Sequence, residues 1–87
     1  MFYLVSYDLN APGKDYSRLI NAIQSYKGYC KVLKSQWIIW HNGDVKSAYN
    51  HLINFIDKTD RLLICEFNAN YMGYLEPKIV NWLQKNL

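Results

Sequence analysis

The spacing of apolar and polar residues divides the chain into four strand patterns and three helix patterns. Phe2–Leu9, with the sequence FYLVSYDL, is rich in aromatic and β-branched residues and predicts the first strand. Cys30–Leu33, Gln36–Trp40 and Arg61–Phe67 predict three more strands on the same grounds. Because the first run is apolar in both of its phases, we expect it in the middle of the sheet, with Asp8 at its exposed carboxyl end.

Helical spacing accounts for the segments between these strands. From Tyr16 to Tyr26 apolar residues recur every three or four positions, so we predict a first helix capped by Asp15 and ended by Gly28. Asp44 is a good N-cap for a second helix, whose apolar face extends over Val45–Ile56.

The remaining segments complete the pattern. Asn10–Lys14 is a turn-forming loop, in which Pro12 fixes φ and Gly13 allows a positive φ. A third helix begins at Glu76-Pro77, since proline suits a first helical turn. The order βαββαβ plus a terminal helix predicts a single α+β domain over residues 1–87, with a ferredoxin-like core at about 2–67 and an extension at about 68–87. Its sheet is four-stranded and antiparallel, with both core helices on one face.

The second face of the predicted sheet is unusually apolar. The two core helices cover one face only, so the other face should carry polar residues. The first, third and fourth strands instead have apolar residues in both phases. A second apolar face needs a cover. Either the terminal helix covers it alone and the protein is a monomer, or a second copy of the chain completes the cover; we predict the homodimer.

Composition excludes several classes of protein. An apolar fraction of 51% is too high for a disordered chain, and there is no apolar run of about 18 residues that would span a membrane. The first residues lack the basic segment of a signal peptide. Cys30 and Cys65 fit no metal-binding spacing and indicate reduced thiols in a cytoplasmic protein. A net charge of +3 permits nucleic-acid binding without requiring it.

The best candidate for chemistry is Asp8. We expect the first and third strands to run parallel, which would bring His41 to the same rim of the sheet as Asp8. The fourth strand should run antiparallel to the first and bring Asp60 there as well. Together with Asn10 these residues form an oxygen-rich cluster suited to Mg²⁺ or Mn²⁺ and to metal-assisted phosphodiester cleavage. The alternative is that Asp8 caps the loop that follows it and that Asp60 pairs with a neighbouring cation.

Three segments of the sequence also suggest a family. Tyr7-Asp8-Leu9, Ser35-Gln36-Trp37 and Asp60-Arg61, with an amphipathic helix after the first, resemble the small CRISPR-associated adaptation nucleases (CRISPR-associated protein two). The resemblance covers roughly residues 2–67, and the virulence-associated protein D ribonucleases are a more distant match. It implies a homodimeric, magnesium- or manganese-dependent endonuclease acting on RNA or DNA, in which one Asp8 from each chain faces the other across the interface.

The resemblance also assigns supporting residues and partners. Arg18, Ser35 and Trp37 correspond to supporting positions of the family, although Gln36 and Trp37 replace its usual pair and Ile38 replaces its usual acidic residue. Besides nucleic acid, it implies an integrase or an antitoxin as a protein partner. Because a fold does not fix a function, a non-catalytic dimeric scaffold that binds nucleic acid or protein is the alternative.

Overall fold

Four strands and three α-helices succeed one another in the part of the chain that the computed structural model describes, residues 1–11, 13 and 15–87. The elements are β1 (Phe2–Asp8), α1 (Ser17–Ile23), β2 (Gly28–Leu33), β3 (Gln36–Trp40), α2 (Val45–Leu52), a 3₁₀ turn (Ile53–Phe55), β4 (Arg61–Phe67) and α3 (Pro77–Asn86). The strands form one antiparallel sheet in the order β2-β3-β1-β4. This confirms the predicted ferredoxin-like βαββαβ arrangement with an added C-terminal helix. No helix in the described ranges is both long enough and apolar enough to traverse a bilayer.

The main core lies between the sheet and the two helices α1 and α2. Alternate residues of β1 and β3 point to this side, because side chains alternate across a strand. The helices oppose them with apolar residues three or four positions apart, which is the spacing of one helical face. The buried side chains of this layer are Tyr3, Val5, Leu19, Ala22, Ile23, Trp37, Ile39, Ala48 and Leu52.

Helix α3 packs on the opposite face of the sheet, over β2 and β3. Ile79 and Leu83 lie one helical turn apart and are buried against Ile38. The ring of Trp82 meets the ring of Phe2 edge-on, with 6.1 Å between the centroids. The terminal helix therefore covers much of the sheet face that α1 and α2 do not cover.

Part of this second face remains open. Its open part consists of β4 and the carboxyl end of β1, where Ser6 lies opposite Leu63 and Asp8 lies opposite Arg61. Leu63 is 63% exposed, and Asp8, Arg61 and Cys65 are exposed as well. We call these residues the open face: Ser6, Asp8, Arg61, Leu63 and Cys65.

Strands β1 and β3 run antiparallel, so the parallel direction assumed from the sequence was wrong. Phe2 pairs with Trp40, and the N–H of His41 donates to the carbonyl oxygen of Met1 (2.9 Å). In a split βαβ unit the helical crossover makes β1 parallel to β2, and β3 fills the gap between them in the opposite direction. His41 therefore lies at the beginning of β1, at the end of the sheet far from Asp8.

The first helix is shorter than its apolar spacing predicts. It ends at Ile23, and Gly28 begins β2 instead of ending the helix. Gly28 lies opposite Trp40, where a Cβ would come within 3.3 Å of the Trp40 Cβ and 3.9 Å of the Trp82 ring. The close approach of the Trp40 Cβ, rather than a helix end, therefore favours a glycine at this position.

The loop before α1 agrees with its sequence where it is described. Gly13 has a φ of 74°, which glycine adopts without strain. Pro12 and Lys14, predicted to share this turn, lie outside the described residues. Asp15 accepts a hydrogen bond from the N–H of Ser17 (2.9 Å) and so supports the start of the helix.

The two cysteines occupy the outer strands of the sheet, Cys30 on β2 and Cys65 on β4. Three strand spacings, about 14 Å, separate these strands, which is too far for a disulfide. Both thiols are free, and burial raises the pKa of the Cys30 thiol.

Candidate functional site

The rim of the sheet at the carboxyl end of β1 holds the candidate site. Asp8 is the last residue of β1 and lies opposite Arg61, the first residue of β4. The carbonyl oxygen of Ser35 accepts a hydrogen bond from the N–H of Tyr7 (3.1 Å), so the turn between β2 and β3 lies at the same rim. We call this edge the Asp8 rim.

Asp60 lies at the Asp8 rim, as the sequence predicts, but it is buried, at 4% exposed. Its carboxylate accepts hydrogen bonds from the N–H of Asn10 (2.7 Å) and of Asp57 (2.6 Å). The Tyr16 hydroxyl lies 2.7 and 2.8 Å from its two oxygens. Burial, followed by this hydrogen bond, raises the pKa of Tyr16. The carboxylate therefore joins the loop after β1 to the loop before β4, which is a structural task.

Asn10 has the same structural task. Its side-chain amide donates to the carbonyl oxygens of Thr59 (3.2 Å) and Asp8 (3.4 Å). The Asp8 carboxylate, by contrast, makes no hydrogen bond or ion pair with the described residues, so it does not cap the following loop. The Arg61 guanidinium donates to the carbonyl oxygen of Asp60 (2.8 Å). Of the predicted cluster, Asp8 alone presents an exposed carboxylate at the rim.

The other predicted supporting residues are dispersed. Trp37 is buried and donates from Nε1 to the Tyr7 hydroxyl (3.0 Å), so it belongs to the core. The Arg18 guanidinium lies over the Phe55 ring, 5.6 Å from its centroid, on the α1–α2 side of the sheet. Ser35 reaches the rim through the β2–β3 turn.

His41 belongs to a different cluster, at the start of α2. Its Nε2 lies 2.8 Å from the Ser47 hydroxyl, which donates its proton to the Asp44 carbonyl oxygen (2.9 Å). With the hydroxyl proton directed to the Asp44 carbonyl oxygen, the tautomer of His41 protonated at Nε2 donates to Ser47. Asp44 accepts from the Ser47 N–H (2.9 Å), which lowers the Asp44 pKa. A Cβ at Gly43 would collide with the Ser47 hydroxyl. This cluster stabilises the start of a helix.

Arg61 lies at the Asp8 rim, where the sequence places the start of the fourth strand, but it was not included among the candidate site residues. It lines a shallow depression of about 200 Å³ together with Ser6, Asp8 and Leu63. The signal was available in the sequence, because the first residue of β4 must lie opposite the last residue of β1 in an antiparallel pair.

A cation at the Asp8 rim would find few ligands among the described residues of one chain. No three His, Cys, Asp or Glu side chains come together among the described residues in a way that could hold a metal ion. One copy therefore offers the single carboxylate of Asp8. Mg²⁺ needs only one or two carboxylates because it keeps several waters. The residues fit such a cation if two copies bring their Asp8 side chains together.

Comparisons of the chain with protein-family models, with curated proteins and with solved structures each find no match. The geometry of the Asp8 rim and the residues that carry the sequence resemblance are therefore the basis for inferring a function.

Proposed function

We propose that the chain is a homodimeric endonuclease similar to CRISPR-associated protein two, in which the Asp8 side chains of two copies bind one Mg²⁺ or Mn²⁺ and a phosphodiester bond of RNA or DNA is cleaved. The observation that carries this proposal is the environment of Asp8. It is an exposed carboxylate at the end of a central strand, on the part of the second sheet face that α3 leaves open. Leu63, 63% exposed beside it, is an apolar contact for a partner.

The position of Asp8 limits how the two copies can meet. β4 is an outer strand, and antiparallel pairing of two β4 edges is one way to form a dimer. Each β4 has seven residues, so that pairing would separate the two Asp8 rims by about 20 Å. Two carboxylates can share a cation only if the two-fold axis passes close to the rim. The proposed dimer therefore packs the two open faces against each other, with Leu63 in contact with its counterpart.

Each rim residue has a separate part in the proposed reaction. The Asp8 side chains of the two copies would hold the cation, which would supply activation of a water molecule or stabilisation of the leaving oxygen. Arg61, across from Asp8 in the depression, supplies a positive charge for the phosphate. Asp60 fixes the two loops that flank the site through its hydrogen bonds to Asn10 and Asp57.

Replacing Asp8 by asparagine tests the catalytic part of this proposal. Asp8→Asn keeps the shape of the side chain and removes the charge that a hard cation needs. We expect cleavage of single-stranded RNA or duplex DNA with Mg²⁺ or Mn²⁺ to fall by at least about 100-fold, the effect of losing a few kcal/mol of charge stabilisation. Glu66→Gln is the matched control, since Glu66 is an exposed carboxylate at the other end of β4. Cleavage that survives Asp8→Asn or EDTA would refute the assignment.

Replacing Leu63 by lysine tests the dimer within the same proposal. Light scattering of the wild type should give twice the chain mass of 10.3 kDa. Leu63→Lys should give the mass of one chain and lose cleavage, because burial of an unpaired charge costs several kcal/mol, about 3 or more. Val45→Lys, on the exposed side of α2, should remain dimeric. A wild type that is monomeric at micromolar concentration would contradict the paired site.

A non-catalytic scaffold is the second candidate, and one observation favours it. Each chain has one exposed carboxylate at the rim, since Asp60 is committed to the loops. A scaffold of this kind binds nucleic acid, or an integrase or antitoxin protein, as a dimer. A wild type that dimerises but cleaves none of these substrates with either metal would favour this candidate over the nuclease.

A further inference from the structure

A cleft lined by lysines lies between the β2–β3 turn and the start of α3. It has a volume of about 470 Å³, with Lys31 and Lys34 on the strand side and Lys78 on the helix side. All three lysines are exposed. The one carboxylate along the cleft is Glu76, so the described lining residues give it a net positive charge. We call it the lysine cleft.

The positive charge continues along the same side of the molecule. Lys27 and Lys85 line a second depression at the far end of β2 and α3, where the Lys27 ammonium lies 5.9 Å from the Trp40 ring centroid. The carboxylates of the sheet and its adjoining loop lie toward the other edge, on β1, β4 and the turn between the 3₁₀ segment and β4: Asp8, Asp57, Asp60 and Glu66. A polyanion would therefore be drawn to the edge of the domain formed by β2 and α3.

An exposed aromatic ring borders the lysine cleft. Tyr74 lines the cleft, and its side chain is fully exposed. This exposure does not come from a detached loop, because the residues around Tyr74 pack on the domain. Leu75 contacts the core under α3, and the ring of Tyr71 lies 5.2 Å from that of Phe67. An exposed ring among the residues that line a cleft with three lysines is a combination with which proteins stack bases of a single strand while binding its phosphates.

The lysine cleft opens toward the Asp8 rim. Lys34 immediately precedes Ser35, whose carbonyl oxygen binds the N–H of Tyr7 at that rim. β2 and β1 are separated only by β3, so about 10 Å lies between their ends. Gln36 and Ser6, joined by a 3.3 Å hydrogen bond, occupy the surface between them. A strand a few nucleotides long can therefore extend from the cleft to Asp8.

We infer that the lysine cleft binds the phosphate backbone of single-stranded nucleic acid, with Tyr74 stacked on an unpaired base, and directs the strand toward Asp8. The lining residues of the cleft include lysines and no arginine. This favours binding of the phosphate backbone over recognition of particular bases, since bidentate contacts to bases are mostly made by arginine. The direction of the strand rests on the proposed function, because Asp8 would act on the strand that the cleft holds. Binding at the cleft requires neither metal nor cleavage, so the two ideas can be tested separately.

The dependence of binding affinity on salt concentration tests how many phosphates the lysines neutralise. The probe is a fluorescein-labelled oligothymidylate of about 15 nucleotides, with anisotropy measured in EDTA so that metal-dependent cleavage is prevented. If each of the three lysines neutralises one phosphate, Lys31→Gln/Lys34→Gln/Lys78→Gln should lower the slope of log K against log salt by about 2. Between about 50 and 200 mM salt, the wild type should then lose about 20-fold more affinity than the variant. Lys46→Gln removes a lysine from α2, away from the cleft, and should bind as the wild type does.

Substitution of Tyr74 tests whether a base stacks on its ring. Tyr74→Ala should weaken binding of the oligothymidylate at least about fivefold, and Tyr74→Phe should restore it because the ring is kept. Tyr49→Ala removes an exposed tyrosine from α2 and should have no effect. A duplex of the same length should show no response to Tyr74→Ala, since its bases are paired and stacked already.

The outcomes separate this inference from the proposed function. Absence of binding to the oligothymidylate at low salt, or a triple variant with wild-type affinity and slope and an unchanged melting temperature, would overturn the inference even if the protein cleaves nucleic acid. A wild type that binds through the cleft and never cleaves would overturn the nuclease and leave the inference standing.

Discussion

Replacing Leu83 by alanine tests whether α3 is an integral layer of the domain. Leu83 is 1% exposed and is packed among Val32, Ile38 and Ile79 on the second face of the sheet. Leu83→Ala removes buried carbon atoms and leaves a cavity where α3 meets the sheet. Substitutions of this kind lower the free energy of unfolding by about 2–5 kcal/mol. We expect about 3 kcal/mol here, because one wall of the cavity is a ten-residue helix that can shift and reduce its volume.

The expected loss is a large fraction of the stability of a small domain. A chain of 87 residues loses about 4–8 °C of melting temperature for each kcal/mol, so Leu83→Ala should melt about 12–24 °C lower. Domains of this size are typically stable by about 5–15 kcal/mol, so the variant should still fold at room temperature. The midpoint of urea unfolding should fall while its slope stays constant, because the surface exposed on unfolding is nearly the same.

Circular dichroism follows the melting, and tryptophan fluorescence, to which Trp37, Trp40 and Trp82 contribute, follows the loss of side-chain packing. Gln84→Ala is the matched control, because Gln84 is the next residue on the same helix and is exposed. Its effect should stay within about 0.5 kcal/mol. If Leu83→Ala and Gln84→Ala melted within about 2 °C of each other, α3 would not be part of the cooperative core and the description of the second face would be wrong.

Two further predictions concern the carboxylates that the structure assigns to folding. Asp60→Ala should lower the free energy of unfolding, measured by urea titration, by about 3 kcal/mol or more. The reason is that the N–H of Asn10 and the hydroxyl of Tyr16 lose the carboxylate they bind. If the effect were no larger than that of Asp15→Ala, at an exposed carboxylate, this structural role of Asp60 would be contradicted. The Ser47 N–H holds the Asp44 pKa below its usual 3.8, so its contribution to stability is present above pH 3.8 and is lost as the pH falls through the lowered value. The difference in melting temperature between the wild type and Asp44→Asn should therefore shrink on acidification, and a constant difference would show that the charge of Asp44 is irrelevant.

The strands were predictable because their apolar and aromatic composition indicates a strand and the polar residues on either side indicate where it ends. Gln36–Trp40 and Arg61–Phe67 have the bounds that their apolar and aromatic runs indicate, since polar turn residues flank each run. The end of α1 was not predictable in the same way. Its apolar spacing continues beyond Ile23, but the pairing of Gly28 with Trp40 sets where β2 begins. The spacing of apolar residues along the helix contains no information about this pairing between distant parts of the chain.

The candidate site was predictable only in part, and strand direction explains most of the difference. Asp8 and Asp60 share a rim because β1 and β4 are antiparallel, which the βαββαβ order implies. The same rule, applied to β3, places His41 at the opposite end. The burial of Asp60 could not be foreseen, because the Tyr16 hydroxyl that binds its carboxylate is 44 residues away in sequence.

The position of α3 connects the two proposals. Because α3 lies over β2 and β3, it forms one wall of the lysine cleft and leaves β4 and the end of β1 open. A dimer built on the open face places the two Asp8 rims at its centre and the two β2 edges on its outer sides. Each lysine cleft then stays accessible, and a strand bound in either cleft leads inward to the shared Asp8 pair. A dimer built on the β2 edges would instead bury the lysines against each other and leave Leu63 exposed, and repulsion between like charges opposes it. The distribution of charge and apolar surface therefore favours the dimer that the Asp8 pair requires.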